Sequence, residues 1–130
     1  MSPQNHRILI VDDDRDILAN LSDILADEGY ETETAPSGED AIELVSRACA
    51  EAGRSAYDLC LLDFNMPGMD GVELFQRIQV FNPNLRAIMI TAYAGENGLE
   101  RAKLAGTWQV LKKPVEIPEL LDMIRKAIPS

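Results

Sequence analysis

The sequence predicts an α/β protein in which helices cover both faces of one open, doubly wound parallel sheet. Short apolar runs alternate with longer segments whose apolar residues recur at helical spacing. This alternation continues through the 130 residues without a linker, an internal repeat or a low-complexity segment. Together these observations predict five strands and five helices in a single domain, residues 1–130.

The first strand and the helix after it have the clearest patterns. Residues 8–11 are wholly apolar, and the helix that follows begins at Asp14, a suitable N-cap, and ends at Gly29. Residues 31–35 alternate and are polar, so we expect a second strand at a sheet edge, because such a strand cannot be covered on both faces. The apolar face of the first helix comprises Ile17, Leu18, Leu21, Ile24 and Leu25.

The second and third helices begin with capping signals. Ser37 and Asp40 have the spacing of a capping box, and so do Asp70 and Glu73. Between the two helices, residues 58–62 are almost wholly apolar, which predicts a central third strand. The predicted inward-facing residues are Ala41, Val45, Ala48 and Cys49 in the second helix and Val72, Phe75 and Ile78 in the third.

The last third of the chain carries two strands and two helices. A turn at residues 82–84 precedes a fourth strand at residues 87–90. The fourth helix, roughly residues 95–105, has the weakest apolar face. A short fifth strand at residues 110–111 leads to a fifth helix that begins near Pro118, which suits a first helical position. Its inner residues are Leu120, Leu121, Ile124 and Ile128.

Composition limits the function. The net charge of −10 argues against nucleic-acid binding, because no basic stripe is available to offset phosphates. No apolar run approaches the ~20 residues that span a bilayer, and the N-terminus lacks the apolar segment of a signal peptide. Cys49 and Cys60 are too few for a disulfide framework and are predicted to be core residues. We therefore expect a cytoplasmic protein with no membrane association.

Reactive polar side chains end four of the apolar runs. They are Asp12-Asp13-Asp14, Asp63, Thr91 and Lys113. Because the carboxyl ends of parallel strands meet at one edge of a sheet, we expect them to share one pocket. Crowded carboxylates repel unless a cation neutralises them, and all-oxygen ligands without a nearby His or Cys favour Mg²⁺. A lysine and a hydroxyl suit a phosphoryl group, which a carboxylate can accept as an acyl phosphate.

Four motifs in order make the chain resemble a response-regulator receiver domain (CheY-like) of two-component signalling. They are Val11-Asp12-Asp13-Asp14, Leu62-Asp63-Phe64-Asn65-Met66-Pro67-Gly68-Met69-Asp70-Gly71, Ile90-Thr91-Ala92 and Lys112-Lys113-Pro114. The resemblance covers essentially the whole chain, and the order and spacing of the motifs make it specific. It implies a flavodoxin-like sheet with strand order 2-1-3-4-5.

The resemblance also implies roles for the acidic residues and for one asparagine. Asp63 corresponds to the phosphoacceptor. Asp13 and Asp63 correspond to side-chain ligands of Mg²⁺, Asn65 to a ligand through its backbone carbonyl, and Asp12 to a residue that acts through water. The same likeness gives Asn65 and Tyr93 the positions that tune the lifetime of the phosphoryl group.

The remaining motif positions correspond to residues that sense the phosphoryl group. Thr91 and Lys113 would contact its oxygens, and the bond between Lys113 and Pro114 resembles one that is cis in the family. The family usually places Tyr or Phe three residues before this lysine as a rotameric switch, whereas this chain has Val110. Trp108, two residues earlier, either packs against the core or joins the output face, and packing is the preferred interpretation.

The leading functional hypothesis is a phosphorylation-controlled switch. A sensor histidine kinase, a phosphotransfer protein or a small acyl phosphate would donate the phosphoryl group, and the face of the fourth helix, fifth strand and fifth helix would respond. Such a protein catalyses only its own phosphorylation and dephosphorylation. The alternatives are a phosphorylation-independent scaffold, which Val110 keeps open, and an aspartyl-phosphate phosphatase, which would need an acid at the position of Asn65. The sequence leaves open the downstream partner and whether the chain acts alone.

Overall fold

The computed structural model describes residues 6–52, 56–91, 100, 102–104 and 106–128. Its strands are β1 (Arg7–Val11), β2 (Glu31–Ala35), β3 (Leu59–Asp63), β4 (Arg86–Thr91) and β5 (Gln109–Lys112). The helices are α1 (Arg15–Asp27), α2 (Gly38–Ala52), α3 (Gly71–Gln79) and the C-terminal helix (Ile117–Ala127). Residues 100 and 102–104 are also helical, within the range predicted for a fourth helix. The rest of that range, residues 95–99, 101 and 105, lies outside the described residues.

The strands form one parallel sheet in the order β2-β1-β3-β4-β5, which confirms the predicted fold and strand order. The polar strand β2 lies at an edge, as its alternation predicts. The three inner strands are almost entirely buried, since helices cover both faces of the sheet. No helix in the described part of the chain is long and apolar enough to cross a membrane.

Each face of the sheet has its own apolar core, because successive residues of a strand point to opposite faces. Leu9 and Val11 of β1 join the core beneath α2 and α3, which contains Cys49 and Cys60. Ile8 and Ile10 join the core beneath α1 and the C-terminal helix. Both cysteines are buried free thiols, as predicted.

The predicted caps are present. The Asp14 side chain accepts hydrogen bonds from the backbone N–H groups of Asp16 (2.9 Å) and Ile17 (3.3 Å). Asp70 accepts from the backbone of Glu73 at 2.9 Å. Gly29 follows the last turn of α1 with a φ of 97°, a conformation that glycine adopts without a steric penalty. These caps fix where α1 and α3 begin and where α1 ends.

Some predicted boundaries and faces are wrong in detail. Strands β3 and β4 extend one residue further than predicted and include Asp63 and Thr91. Pro118 is the second helical residue, because the C-terminal helix begins at Ile117 after the N-cap Glu116. Not every apolar residue of the predicted helix faces is buried: Ile17, Ile24, Ala48 and Leu121 are partly exposed.

Asn82 holds the turn before β4 in place, a role that the turn signal at residues 82–84 did not reveal. Its side chain is fully buried. The carbonyl oxygen accepts hydrogen bonds from the backbone N–H groups of Ala56 (3.0 Å) and Tyr57 (3.1 Å), and the thiol of Cys49 lies 3.4 Å away. One amide thus ties the turn to the segment before β3, where it replaces secondary-structure partners for two backbone donors.

We predict that Asn82→Ala lowers the free energy of unfolding by about 2–4 kcal/mol, because two backbone N–H groups lose their acceptor and a cavity remains. Urea denaturation monitored by circular dichroism measures this loss. Asn84→Ala is the matched control, since Asn84 lies in the same turn but is exposed. Equal small effects of both substitutions would contradict the assigned role of Asn82.

Candidate functional site

The predicted polar residues gather at the carboxyl edge of the sheet. Asp12 follows β1, Asp63 and Thr91 end β3 and β4, and Lys113 follows β5. The register aligns these positions: Val11 pairs with Leu62, and Thr91 pairs with Lys112. Parallel pairing therefore brings residues that are far apart in sequence to one pocket, as strand-end placement predicts.

Three carboxylates form the acidic part of the pocket. Ligand oxygens of Asp12, Asp13 and Asp63 lie within 4.8 Å of one another. Asp12 and Asp63 are 4% and 3% exposed, whereas Asp13 is exposed to solvent. The Asp12 side chain accepts a hydrogen bond from the backbone N–H of Asp14 at 2.9 Å, which orients it where the chain turns into α1.

Lys113 provides the positive charge. Its ammonium Nζ lies 3.4 Å from Oδ2 of Asp12 and 3.5 Å from Oδ2 of Asp63. The backbone N–H of Lys113 donates to the carbonyl of Thr91 at 2.8 Å, and the Lys113–Pro114 bond is cis, as the resemblance implies. The lysine is thus held by backbone contacts on one side and by two carboxylates on the other.

The electrostatics of the pocket are unfavourable for a charged Asp63. Burial raises the pKa of Asp63 to about 6, and the negative charges of Asp12 and Asp13 add to this effect. The hydrogen bond from the Asn65 backbone and the charge of Lys113 act in the opposite direction. Burial lowers the pKa of Lys113, but the carboxylates of Asp63 and Asp12 outweigh it, and the net shift is upward. Lys113 is therefore charged at neutral pH.

Thr91 and Asn65 form the third side of the pocket. The backbone N–H of Asn65 donates to Oδ1 of Asp63 at 3.1 Å. The hydroxyl of Thr91, which is 2% exposed, donates to the side-chain carbonyl of Asn65 at 3.0 Å. Asn65 thus contacts both the end of β3 and the end of β4.

The donor set fits a hard divalent cation. Three carboxylates and one lysine leave two negative charges uncompensated, and the ligand cluster consists of oxygen donors alone. Mg²⁺ is bound in this way, through a few carboxylates with several positions left to water or phosphate. A cation here would offset the burial and the neighbouring negative charges that raise the pKa of Asp63.

Two residues considered for transmitting the signal, Val110 and Trp108, lie outside the acidic pocket. Val110 is on β5, partly exposed, and packs against the core beneath α2 and α3. Trp108 is partly buried against the core beneath α1 and the C-terminal helix. The Cζ atom of Arg86 lies over its ring, 6.0 Å from the ring centroid, and both contacts agree with the packing interpretation. Tyr93 lies outside the described residues.

A cavity beside the acidic pocket was not predicted. It has a volume of about 520 Å³, and its walls include Ile17 and Ile24 of α1 and Val115 and Ile117 near the C-terminal helix. Asp12 and Lys113 also line it, so it borders the acidic pocket. The sequence feature that corresponds to this cavity is the broad apolar face of α1. The core does not bury all of it, and Ile17 and Ile24 remain partly exposed.

An acidic, lysine-bearing pocket at the carboxyl edge of a 2-1-3-4-5 sheet defines the class of protein. Residues 8–125 match the family model that is described as "Response regulator receiver domain". The chain therefore belongs to the response regulator receiver domain family, that is, the receiver domains of two-component signalling.

Individual relatives agree with this assignment. The chain is 36% identical over 125 residues to sporulation initiation phosphotransferase F of Bacillus subtilis, covering 96% of this chain and 95% of that protein. Other curated relatives are longer, and the chain spans 24% to 50% of the length of several of them.

Solved structures give the same result. A receiver domain protein (CheY-like) from Methanospirillum hungatei JF-1 has a TM-score of 0.85 and 32% identity, covering 95% of this chain and 93% of that one. A chain of the CheX-CheY-BeF3-Mg+2 complex from Borrelia burgdorferi has a TM-score of 0.81 and 29% identity, covering 93% and 87%.

We predict that Asp63→Asn stabilises the metal-free protein at neutral and higher pH. A carboxyl group with a raised folded-state pKa contributes stability below its unfolded pKa, and this contribution is lost as the pH rises through the folded value. For Asp63 the window runs from about pH 4 to about pH 6. Above it, the variant is expected to be more stable by roughly 2–3 kcal/mol.

Urea denaturation at several pH values in the presence of EDTA measures this difference. It is expected to fade below about pH 4, where Asp63 is protonated in both folded and unfolded chains. The control is Asp23→Asn on α1, which removes an exposed carboxylate. If the two substitutions showed the same pH dependence, burial of Asp63 would not be the cause.

Proposed function

We propose that the chain is a phosphoacceptor switch whose Asp63 takes a phosphoryl group in the presence of Mg²⁺. One observation carries the proposal: the buried Asp63 carboxylate lies beside two further carboxylates and within 3.5 Å of a lysine. A carboxylate in this setting is a nucleophile that a cation and an ammonium group can serve at once. Membership of the receiver domain family supports the same assignment.

The chemistry is a transfer between a donor and one carboxylate oxygen. An oxygen of Asp63 attacks phosphorus, an O–P bond forms, and the bond to the donor's histidine nitrogen or acyl oxygen breaks. The leaving group keeps the bonding electron pair. Mg²⁺, when bound, would supply positive charge for the phosphoryl oxygens. The side chains of Asp13 and Asp63 and the backbone carbonyl of Asn65 are its proposed ligands, and Asp12 would act through water. Lys113 offers an ammonium donor to the same oxygens, and Thr91 offers a hydroxyl.

The proposed donor is a sensor histidine kinase or a phosphotransfer protein, and a small acyl phosphate can replace it. The relative from Bacillus subtilis is called a phosphotransferase, and the structure from Borrelia burgdorferi contains CheX, BeF3 and Mg+2. These names support a phosphoryl-transfer role for this chain, for which we propose a cytoplasmic setting. The proposed protein is not an enzyme toward external substrates, since it acts only on its own phosphorylation state.

The proposed output is a change in the face that includes β5 and the C-terminal helix. Thr91 and Lys113 lie at the ends of neighbouring paired strands, so a phosphoryl group that draws them in biases the position of these elements. Pro114, which follows Lys113, is proposed to give structural support to the site. We assign the tuning of the phosphoryl lifetime to Asn65 and Tyr93.

We predict that Asp63→Asn abolishes Mg²⁺-dependent labelling by radioactive acetyl phosphate, because an amide is not a nucleophile here. Asp58→Asn is the matched control. Asp58 precedes the amino end of the same strand, β3, and its side chain accepts a hydrogen bond from the backbone N–H of Arg7. Its labelling is expected to equal that of the parent chain. Undiminished labelling of the Asp63 variant would remove Asp63 from its role. A parent chain that is not labelled at all would favour a scaffold, and turnover of phosphate monoesters would favour a phosphatase.

We predict that saturating Mg²⁺ raises the free energy of unfolding by about 2–3 kcal/mol at 100 times the dissociation constant. Asp13→Asn is expected to weaken Mg²⁺ binding at least tenfold, because it removes one proposed ligand. Asp14→Asn removes the same charge from the neighbouring residue while keeping an amide that can cap α1. Thermal unfolding at a series of Mg²⁺ concentrations compares the two, and equal weakening would mean that Asp13 acts only through its charge.

A further inference from the structure

The hydroxyl hydrogen of Thr91 is already donated to a hydrogen bond with Asn65. Thr91 is 2% exposed, and its hydroxyl donates to Oδ1 of Asn65 at 3.0 Å. A hydroxyl has a single hydrogen to donate. While this bond exists, Thr91 has no donor to offer an oxygen on Asp63, so the bond must break before Thr91 can contact a phosphoryl group.

The two partners of this bond differ in what they lose when it breaks. The side chain of Asn65 belongs to an exposed residue, so water can replace the hydroxyl at its carbonyl. The hydroxyl of Thr91 is buried and needs another acceptor within the pocket. Breaking the bond is therefore costly until an acceptor oxygen arrives on Asp63, and nearly without cost afterwards.

The backbone of Asn65 holds its side-chain carbonyl close to Asp63, where the Thr91 hydroxyl can change from this carbonyl to a phosphoryl oxygen. Its N–H donates to Oδ1 of Asp63 at 3.1 Å, so the residue is anchored to the carboxylate that would carry the phosphoryl group. Its side chain reaches across to the neighbouring strand, β4, which pairs with β3 up to Asp63 and Ile90. In the unphosphorylated state Asn65 thus links the proposed phosphoacceptor, Asp63, to the proposed phosphoryl-sensing residue, Thr91.

We propose that the Asn65 side chain is a latch that holds Thr91 in its unphosphorylated orientation. It is a positioning residue, and its side-chain carbonyl competes with a phosphoryl oxygen for one hydroxyl. The inference rests on the proposed function, because it requires that Thr91 contact a group on Asp63. It differs from tuning of the phosphoryl lifetime, since it acts on the equilibrium before any acyl phosphate is hydrolysed.

The latch makes a quantitative statement about ligand affinity. Removing the acceptor with Asn65→Ala leaves the Thr91 hydroxyl poorly satisfied in the unliganded protein only. Binding of beryllofluoride, a stable phosphoryl mimic, is then expected to tighten about fivefold to tenfold, the factor that corresponds to the net free energy of one hydrogen bond. Because beryllofluoride is not hydrolysed as an acyl phosphate is, the phosphoryl lifetime does not enter this measurement.

The test is a beryllofluoride titration of the full chain in saturating Mg²⁺, followed by NMR. Asn65→Ala is compared in two backgrounds, the parent chain and Thr91→Val, which has no hydroxyl to hold. We expect tighter binding in the parent background and no effect of Asn65→Ala in the Thr91→Val background. Ser22→Ala is the control: it removes a side-chain hydrogen bond of 2.6 Å to Thr32, between α1 and β2, and is expected to leave the affinity unchanged.

The outcomes separate the latch from the function on which it rests. If the parent chain does not bind beryllofluoride, the proposed function fails and the latch fails with it. If the parent chain binds but Asn65→Ala binds equally or more weakly, the latch alone is overturned. Tightening that persists at full size in the Thr91→Val background would also overturn it, because the effect would not depend on the hydroxyl.

Discussion

The burial of mutually repelling carboxylates at one edge of the sheet is the constraint on which the rest of the site depends. A parallel sheet brings its strand ends together whether or not their side chains are compatible. Here Asp12 and Asp63 are both almost fully buried, with Asp13 beside them. Burial, and to a smaller extent the charges of Asp12 and Asp13, raises the pKa of Asp63. The pocket lowers the stability of the metal-free fold, and the same destabilisation favours the binding of a cation.

Lys113 relieves only part of this repulsion. Its ammonium group is shared between two carboxylates at 3.4 and 3.5 Å, so neither has a full counter-charge. A lysine suits this position better than an arginine, because a compact ammonium on a flexible stem can move toward a third negative group. Because the pairing is incomplete, the Lys113 ammonium group can still move toward negative charge that is added at Asp63.

The sequence predicted the parts of this structure that depend on strand order and periodicity. Asp12, Asp63, Thr91 and Lys113 follow or end apolar runs, and parallel pairing alone brings them together. The Thr91–Asn65 hydrogen bond could not be predicted in this way, because it depends on how a loop residue folds back across two strands. The role of Asn82 was hidden for a similar reason: a turn-forming residue looks the same in sequence whether its side chain faces solvent or two buried backbone donors.

Val110 limits how a change at the site can reach the surface. A β-branched side chain is restricted at χ1, and this one packs against the core beneath α2 and α3, so it cannot exchange a buried for an exposed position as a ring can. The backbone offers another connection. Thr91 pairs with Lys112, and its carbonyl accepts the N–H of Lys113 at 2.8 Å. A displacement of the end of β4 is thus coupled directly to the end of β5, and the contacts of this chain favour a route through the paired strands over one through a rotating side chain.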